Sequence, residues 1–434
     1  MASPSVPILI ISSLLLSSLF SNALTSPKAF IFPIRKDGTT NQYYTTIQIG
    51  SNATTLNVGI DLGGNFLWFN SLDYFSAADT YRPILCGTKR CQIANLIGCV
   101  FCFSAAAPGC SNNTCADWAL NPFTGTNGYS GLSTDVMLAL STRGTQYKLN
   151  FPFQYSDPIL SQGLATPTAG LLALGRTRLS LQSQLSSAFK IRNKLALCIP
   201  PSGGNGYMIA GQEVYREPFR RISESMWTTP LLRNPWKGFG DEVIGNLSNT
   251  YFIGVKSIRV GGTSLALNKT LLSIDKVTGE GGTSLRTVRA YTSLHGSIYA
   301  ALVEEFVKAA AGKGMKRVAS VAPFGACFDS KTIKSGGDVP TVDLILQRKK
   351  VYWRFYGWNT MVRVGKGVMC LAFVEGEPNT TGPTTSIVVA GYQLENHLLE
   401  FDVPASKLGF SSSLLLRGTS CKEFGAAALD PYIG

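Results

Sequence analysis

Short segments rich in β-branched and aromatic residues dominate this sequence, and they are the feature that most limits what the chain can fold into. Glycine, asparagine, serine and proline separate these segments, and the chain contains 44 glycines and 21 prolines. Such an alternation is typical of many short strands joined by turns. The clearest strand-like segments are residues 43–50, 55–60, 136–140, 195–199 and 251–260.

Helical periodicity is confined to a few places. Residues 179–188 carry apolar side chains at helical spacing, and residues 296–311 do so most clearly, with Gly312 as the expected stop. We therefore predict a mostly β protein with a few helices.

The sequence also contains a loose internal duplication. A strand and a glycine-rich turn occur at residues 58–64, and another glycine-rich turn, ending in Thr-Ser-Leu, occurs at residues 279–285. An apolar run ending in glycine follows each of them, at residues 171–175 and 388–391. The length of 434 residues allows two or three domains. We expect two related lobes.

The N-terminus has the pattern of a secretory signal peptide. Residues 7–20 form an apolar stretch too short to span a bilayer, and small residues suited to cleavage follow at 21–23. We expect residues 1–23 to be the signal peptide, with a first lobe over 24–215 and a second lobe over 216–434. No later stretch of about 18 apolar residues occurs, so we expect a secreted, extracellular protein without a membrane partner.

Five Asn-x-Ser/Thr sequons agree with export and are candidate glycosylation sites on the surface. They begin at Asn52, Asn112, Asn246, Asn268 and Asn379.

The ten cysteines form an even set, which in an exported chain predicts disulfides. The spacing of Cys99 and Cys102 would suggest zinc or redox chemistry in the cytosol, but an oxidising compartment and the lack of a nearby histidine argue against a metal site. We predict five disulfides of unspecified pairing from six clustered and four dispersed residues: Cys86, Cys91, Cys99, Cys102, Cys110, Cys115, Cys198, Cys327, Cys370 and Cys421.

The formal net charge is +13, from 39 lysines and arginines against 26 aspartates and glutamates. Nucleic-acid-binding proteins usually concentrate basic residues in runs or on one helix, whereas the longest basic run here is residues 348–350. We therefore do not expect nucleic acid as a partner. An anionic cell-wall polymer or an acidic protein surface fits the scattered charge better.

Carboxylates are the main candidates for chemistry. The chain has only two histidines, His295 and His397, and neither lies in a nucleophile motif, so both are interpreted as structural. Residues 58–68, with Asp61 at their centre, resemble the first active-site loop of pepsin-like aspartic proteases. Segments at 44–50, 171–185, 388–391 and 401–410 match that family in the same order. The resemblance implies a bilobal pepsin-like fold over nearly the whole mature chain.

Departures from the protease pattern indicate that catalysis has been lost. A water-activating dyad needs two carboxyl groups that share a proton. Leu62 and Gly64 stand where the protease family has hydroxyl side chains that support the first aspartate. The best match to the second loop places Glu280 or Gly281 at the catalytic position. We therefore interpret Asp61 and Glu280 as degenerate remnants in a protein without enzymatic activity or cofactor.

A closer resemblance is to a plant secreted group that contains the xyloglucan-specific endoglucanase inhibitors, the cereal xylanase inhibitors, extracellular dermal glycoproteins and basic seed globulins. It rests on the degenerate first loop, the cysteine cluster, residues 272–276 and residues 323–327. Members tend to have twelve cysteines, and Asn70 and Tyr155 stand where two of those cysteines are expected. The chain thus resembles a member that has lost one bridge.

The resemblance also implies a contact surface. In the inhibitor members, two loops of the C-terminal lobe enter a glycosidase cleft, and these correspond here to residues 331–334 and 416–420. It implies Arg417 as the main contact residue, with Ile333 and Lys334 beside it. A guanidinium can bridge the paired carboxylates of a glycosidase.

Three functions follow from these expectations. The first is an inhibitor of a microbial cell-wall-degrading glycoside hydrolase, either a xyloglucanase or endoglucanase or a xylanase, acting in the apoplast. The second is a basic globulin-like protein that binds a peptide, a receptor or the cell wall, or that serves in storage. The third is an atypical aspartic protease using Asp61 and Glu280.

Overall fold

The computed structural model describes residues 26–76, 79–94, 98–105, 107–212, 215–236, 248–348, 350–377 and 383–429. The predicted signal peptide lies outside these residues. The strands of the first half are β1 (Ala29–Lys36), β2 (Tyr43–Ile49), β3 (Thr54–Asp61), β4 (Leu67–Phe69), β5 (Arg82–Pro83), β6 (Gly98–Val100), β7 (Thr114–Leu120), β8 (Asn127–Leu140), β9 (Gln146–Tyr155), β10 (Gly170–Ala173), β11 (Lys194–Cys198) and β12 (Asn205–Gly211).

The second half contains shorter strands. They are β13 (Trp227–Leu232), β14 (Tyr251–Ile253), β15 (Val255–Val260), β16 (Thr263–Ser264), β17 (Thr283–Leu285), β18 (Thr292–Leu294), β19 (Arg317–Val318), β20 (Cys327–Asp329), β21 (Val342–Leu346), β22 (Tyr352–Phe355), β23 (Met361–Gly365), β24 (Val368–Leu371), β25 (Phe373–Glu375), β26 (Ile387–Val389), β27 (Leu398–Asp402) and β28 (Lys407–Phe410).

The α-helices are few and mostly short, as predicted. They are α1 (Leu72–Ser76), α2 (Lys89–Ala94), α3 (Leu181–Phe189), α4 (Phe219–Glu224), α5 (Lys269–Leu272), α6 (Gly296–Gly312), α7 (Gly357–Thr360), α8 (Gly391–Leu394) and α9 (Cys421–Ala428). The segment predicted at 296–311 is α6, which buries the apolar side chains Ile298, Leu302 and Phe306 on one face. Short 3-10 helices add Pro158–Ser161, Ser330–Thr332 and Leu414–Arg417.

One sheet joins the two halves. Its central pair is β11 with β27, antiparallel, in which Ala196 faces Glu400. β12 and then β1 extend the sheet on one side, while β28 and then β13 extend it on the other. The order is therefore symmetric about the central pair, as expected for two related lobes.

The strand pairing within each half repeats the same arrangement. β3 lies parallel to β10, which is antiparallel to β4. β17 lies parallel to β26, which is antiparallel to β18. The apolar runs that suggested a duplication are thus β10 and β26. These features confirm the mostly β, two-lobed pepsin-like fold, while the exact lobe bounds at 215 and 216 stay a prediction.

The predicted strand at 251–260 is two strands in two sheets. Gly254 separates them, and the side chain of Gln347 packs where a side chain on Gly254 would lie. β14 pairs with β13 and β17, whereas β15 pairs with β21. A continuous β-rich pattern cannot reveal such a break, because both pieces carry the same residue types.

The five predicted disulfides are present, and the described residues contain no free cysteine. Three of them close the clustered region, and two join distant segments. The bridge from Cys198 to Cys421 ties α9 to β11 of the central sheet. The pairs are Cys86–Cys99, Cys91–Cys115, Cys102–Cys110, Cys198–Cys421 and Cys327–Cys370.

Candidate functional site

Asp61 is a buried residue at the end of β3. The parallel strand β10 holds this end in place, since the Leu174 N–H donates to the Asp61 carbonyl at 2.8 Å. The Asp61 side chain is 7% exposed, and its Oδ1 accepts the Gly63 N–H at 2.7 Å. The carboxylate is therefore fixed by backbone groups of its own turn.

Arg286 occupies the corresponding place in the second lobe. It directly follows β17, and its N–H donates to the Val389 carbonyl on the parallel strand at 3.0 Å. Its Nη1 lies 3.7 Å from Asp61 Oδ1. Gly63 permits this approach, because a side chain there would collide with the guanidinium. A cation thus faces Asp61 where an aspartic protease would need its second carboxylate.

Thr287 joins the two loops. Its hydroxyl donates to the Ile60 carbonyl at 2.6 Å and accepts the Leu62 N–H at 3.2 Å. These two backbone groups flank Asp61. Leu62, at the matching position of the first loop, has no hydroxyl to return the interaction. The loops are therefore linked by the hydroxyl of the second loop only, whereas in the protease pattern each loop supplies one.

The expectation for Glu280 was wrong. Glu280 is exposed in a turn that begins at Asp275, whose N–H donates to the Glu280 carbonyl at 2.8 Å. The sequence comparison aligned glycine-rich turns, but such a turn follows β3 in the first lobe and precedes β17 in the second. The second loop is therefore Arg286-Thr287. Counting from the end of the strand would have found it.

Charge and burial act in opposite directions at this pair. Burial raises the pKa of Asp61, while the nearby Arg286 and the Gly63 N–H lower it. Burial lowers the pKa of Arg286, and the Asp61 carboxylate opposes that effect. A guanidinium remains charged and has no acceptor for a proton, so it cannot serve as the second member of an acid and base pair.

Two exposed loops of the second lobe contain the predicted contact residues. After the 3-10 helix Ser330–Thr332, Ile333 is half-buried against the main core and Lys334 is exposed. Both line a cavity of about 140 Å³ together with Lys313 and Asp338. Ile333 therefore supports the loop, while the Lys334 side chain reaches solvent.

The other loop presents Arg417. The 3-10 helix Leu414–Arg417 buries Leu414, whereas Leu415 and Leu416 are 41% and 50% exposed. Arg417 is exposed, and no ion pair or side-chain hydrogen bond involves it within the described part of the chain. The left-handed Gly418 (φ 65°) ends the helix. An unpaired cation thus lies beside two exposed leucines.

Trp358 connects these two loops. Its Nε1 donates to the Ser413 hydroxyl at 2.9 Å, and its ring packs so tightly on Gly336 that a side chain at Gly336 would collide with it. The Gly357 N–H also donates to the Gly336 carbonyl at 2.9 Å. We call residues 330–338 and 413–418 with Trp358 the two-loop surface. The sequence reasoning missed Trp358, which carries no motif.

Comparison with known proteins decides the family. Residues 43–212 match the model described as "Xylanase inhibitor N-terminal", and residues 250–412 match "Xylanase inhibitor C-terminal". The chain belongs to the xylanase-inhibitor family. A curated relative, "Probable aspartic proteinase GIP2" of Nicotiana benthamiana, is 41% identical over 97% of this chain and 98% of its own length.

Solved structures of family relatives have the same fold. The structure described as "Crystal structure of edgp" matches with a TM-score of 0.86 and 39% identity, covering 92% of this chain and 98% of that one. The soybean "Basic 7S globulin" structure matches with a TM-score of 0.78 and 29% identity, covering 92% and 99%. The recognised family resemblance is thereby confirmed.

Other predicted sites of this family member can be placed in part. Asn52, Asn112 and Asn268 are exposed, whereas Asn246 and Asn379 lie outside the described residues. Within the described ranges, no group of three or more histidine, cysteine, aspartate or glutamate side chains could hold a metal ion. No helix described there is long and apolar enough to cross a bilayer.

Proposed function

We propose that this protein is a secreted, non-catalytic inhibitor of a microbial cell-wall-degrading glycoside hydrolase. The target is a xyloglucanase or endoglucanase or a xylanase, and the two-loop surface enters its active-site cleft. Family membership supports the class of partner. The observation that carries the mechanism is the exposed guanidinium of Arg417, which lies beside Leu415 and Leu416 and pairs with no acidic residue in the described ranges.

Arg417 matches the chemistry of the partner's cleft. Retaining glycosidases hold two carboxyl groups roughly 5–5.5 Å apart. A planar guanidinium stays charged and can donate to two oxygens at once, which makes arginine better suited than lysine. Because Arg417 makes no ion pair with any described residue, no such pair has to break before it binds. Lys334 adds positive charge from the neighbouring loop.

The surroundings of Arg417 favour binding through pre-organisation. Leu415 and Leu416 can bury apolar area against the rim of a cleft, as interface anchors do. Trp358 and the Cys198–Cys421 bridge fix the loop from both sides. A loop that is already ordered loses less conformational entropy when it binds.

The same proposal includes the absence of proteolysis. The pair of Asp61 with Arg286 supplies one carboxylate, and an aspartic protease needs two. We expect no cleavage of a denatured protein between pH 3 and 5 in a sensitive peptidase assay. Cleavage by the wild-type protein that disappears in Asp61→Ala would contradict this.

Inhibition assays test the mechanism. We expect the wild-type protein to inhibit at least one member of a panel of fungal endoglucanases, xyloglucanases and xylanases. Arg417→Ala should weaken inhibition about 30-fold or more, equivalent to ~2 kcal/mol, and Arg417→Lys should weaken it less. Arg178→Ala is the matched control, because Arg178 is an exposed arginine on the first lobe. No inhibition by wild type, or equal inhibition by Arg417→Ala, would refute the mechanism.

A second candidate is a globulin-like protein that binds the cell wall or serves in storage. The net charge of +13 and the similarity to the soybean globulin favour it. In that case the protein should bind pectin without inhibiting any hydrolase, and about 0.5 M salt should release it. Secretion, with cleavage after the signal peptide and glycans on Asn52, Asn112 or Asn268, belongs to both candidates and is testable by mass spectrometry of the exported protein.

A further inference from the structure

A small sheet of the second lobe has two faces of different character. Its strands are β16, β15, β21 and β22, side by side in that order. Alternate residues on these strands, such as Ile258, Leu344 and Trp353, are buried in the main core. Successive side chains of a strand point to opposite sides, so the residues between them form the outer face. We call five residues of that side the arginine–tyrosine face: Arg259, Asp343, Tyr352, Arg354 and Tyr356.

Two arginines share one buried carboxylate on this face. The strand register places Arg259 and Arg354 on either side of Asp343. Arg354 donates to Asp343 through Nε at 2.7 Å and through Nη2 at 2.8 Å, and Arg259 Nη2 donates to it at 3.0 Å. Asp343 is the only acid that pairs with either arginine among the residues that the structure describes. The cluster therefore keeps one excess positive charge.

Both guanidiniums keep donors that a ligand can reach. The bonds to Asp343 use Nε and Nη2 of Arg354 and Nη2 of Arg259, and no described residue accepts a hydrogen bond from Nη1 of either arginine. Arg259 Nε is enclosed without a partner, whereas the two Nη1 atoms are not enclosed. The side chains of Arg259 and Arg354 are 30% and 33% exposed. Because Asp343 already orders both side chains, an anion that binds here loses little affinity to their immobilisation.

Tyr352 supplies an apolar surface beside this charge. It is 37% exposed, and its ring centroid lies 5.2 Å from Arg259 Cζ and 5.0 Å from Arg354 Cζ. Contacts between a guanidinium and an aromatic ring at such distances are attractive, so they fix the ring next to the two cations. The face of a tyrosine ring is electron-rich and attracts the C–H groups of a sugar ring. Positive charge and an exposed ring thus lie side by side.

The arginine–tyrosine face continues along the last strand of its sheet. Tyr356 follows Arg354 by two positions, and its backbone is still extended (φ −97°, ψ 174°), so its side chain extends the same row. The half-buried Tyr356 ring stacks on Trp358, with centroids 5.4 Å apart and an angle of 22° between the planes. A ring, a guanidinium and a second ring therefore alternate from Tyr352 to Tyr356. Such a row suits an extended polymer better than a single sugar.

We propose that the arginine–tyrosine face binds a polymer of uronic acid, the chemistry of a pectin backbone. The carboxylate of one uronate accepts N–H groups from Arg259 and Arg354, and its sugar ring stacks on Tyr352. A uronate carries its carboxylate directly on the sugar ring, so one residue meets the charge and the ring together, whereas an acidic side chain of a protein has no ring to stack. The proposal rests on the wall binding of the second candidate function, gives it a defined site, and does not depend on hydrolase inhibition.

Titration calorimetry with decagalacturonate tests the proposal, at about 0.1 M salt to screen distant charges. We expect saturable binding by the wild-type protein and no binding of the fully methyl-esterified oligomer. Tyr352→Ala and Arg259→Gln should each weaken binding about fivefold or more. Arg259→Gln leaves both hydrogen bonds from Arg354 to Asp343 in place, and Tyr352 is exposed, so both variants should fold. Chemical denaturation of each variant checks this.

Tyr129→Ala and Arg178→Gln are the matched controls on the first lobe. Tyr129 is 36% exposed, close to the value for Tyr352, and Arg178→Gln removes the same charge from an exposed arginine as Arg259→Gln removes from the face. Both controls should bind as wild type does. Four results would overturn the proposal: decagalacturonate does not bind, its methyl ester binds equally well, the controls weaken binding as much as the test variants do, or polyglutamate binds with the same dependence on Tyr352. None of these results bears on hydrolase inhibition, which Arg417→Ala tests.

Discussion

Among the ion pairs that link the two lobes within the described residues, two differ clearly in burial and geometry. Lys36 of the first lobe pairs with Glu395 of the second at 2.7 Å, with side chains 2% and 6% exposed. Asp61 of the first lobe pairs with Arg286 of the second at 3.7 Å, with side chains 7% and 32% exposed. We call the first the enclosed pair and the second the half-open pair, because the Arg286 side chain is partly exposed to solvent.

The enclosed pair is supported by several other groups. The Tyr43 hydroxyl donates to Glu395 Oε1 at 2.7 Å, and the Lys36 ammonium lies 5.1 Å from the centre of the Tyr392 ring. Burial raises the pKa of Glu395, and Lys36 lowers it. The half-open pair has a longer N–O distance, and its carboxylate accepts a backbone N–H, from Gly63, where Glu395 accepts a tyrosine hydroxyl. The comparison teaches that one pair belongs to the contact between the lobes, while the other lies where an aspartic protease has its two catalytic carboxylates.

Lys36→Met should produce the largest loss of stability. It leaves Glu395 buried without its cation, and breaking a buried pair in this way typically costs about 3–5 kcal/mol. Chemical denaturation at pH 7 measures the effect. Lys256→Met, at an exposed lysine, is the control and should change the free energy of unfolding by less than about 0.5 kcal/mol. A loss below about 1 kcal/mol for Lys36→Met would mean that the enclosed pair stabilises the protein no more than the pair of Asp61 and Arg286 does.

His397, next to the enclosed pair, should make stability fall in acid. Its Nδ1 lies 3.0 Å from the Glu395 carbonyl, and burial lowers its pKa to about 4. The unfolded state binds this proton near pH 6.5, so the stabilising contribution is complete above that pH and is lost as pH falls toward 4. The expected loss is about 3 kcal/mol.

Comparing His397→Gln with wild type isolates this effect. The raised pKa values of Glu395 and Asp61 act in the opposite sense, since a buried acid that gains a proton stabilises the folded state at low pH. Both proteins keep those groups, so the difference between their stability profiles from pH 7 to 4 reports His397. Identical slopes would show that His397 does not titrate in this range.

Much of the fold could be predicted from the sequence. Strand type and α6 follow from residue periodicity, the five disulfides from cysteine number, and the two lobes from the repeated glycine-rich turns and the resemblance to pepsin-like proteases. Asp61 was found because a recognisable motif surrounds it. These features depend on residues close together in the chain, or on composition alone.

The rest depends on contacts between distant segments. Arg286 could not be recognised as a site residue from its neighbours in the sequence, because what marks it is its contact with Asp61. The two loops are 225 positions apart, as is shown by the hydrogen bond between Leu62 and Thr287. Trp358 joins two loops that are separate in sequence. The wrong prediction for Glu280 has the same cause. The glycine-rich turn that contains it resembles the turn after Asp61, but it comes before its strand and not after it. Only the pairing of the strands determines which residue faces Asp61.

Thr287→Val should have a smaller effect than loss of Lys36. It removes the hydroxyl that serves both the Ile60 carbonyl and the Leu62 N–H, and leaves buried backbone groups without that partner. We expect a loss of about 2 kcal/mol by chemical denaturation. Thr263→Val, at an exposed strand end, is the control. If both variants lower the free energy of unfolding equally, then the hydrogen bonds of Thr287 between the loops do not stabilise the fold.

The smallest losses of stability should come from changes to the half-open pair of Asp61 and Arg286, and the two members should not contribute equally. Arg286→Met leaves the buried Asp61 carboxylate without its cation, and we expect a cost of about 1–2 kcal/mol at pH 7. Asp61→Asn keeps the acceptor for the Gly63 N–H and leaves a guanidinium that is a third exposed, so it should cost less than about 1 kcal/mol.

The two variants should differ in how their loss of stability depends on pH. Without Arg286 the pKa of Asp61 should rise further, so the cost of Arg286→Met should shrink as pH falls and the carboxyl gains a proton. Asp61→Asn has no such group and should show no matching recovery. Arg289→Met, at the exposed neighbour, is the control. If Arg286→Met and Asp61→Asn lower the free energy of unfolding equally at every pH, then Asp61 and Arg286 interact no more strongly than two surface charges do. In that case only Lys36 and Glu395 would form a stabilising ion pair.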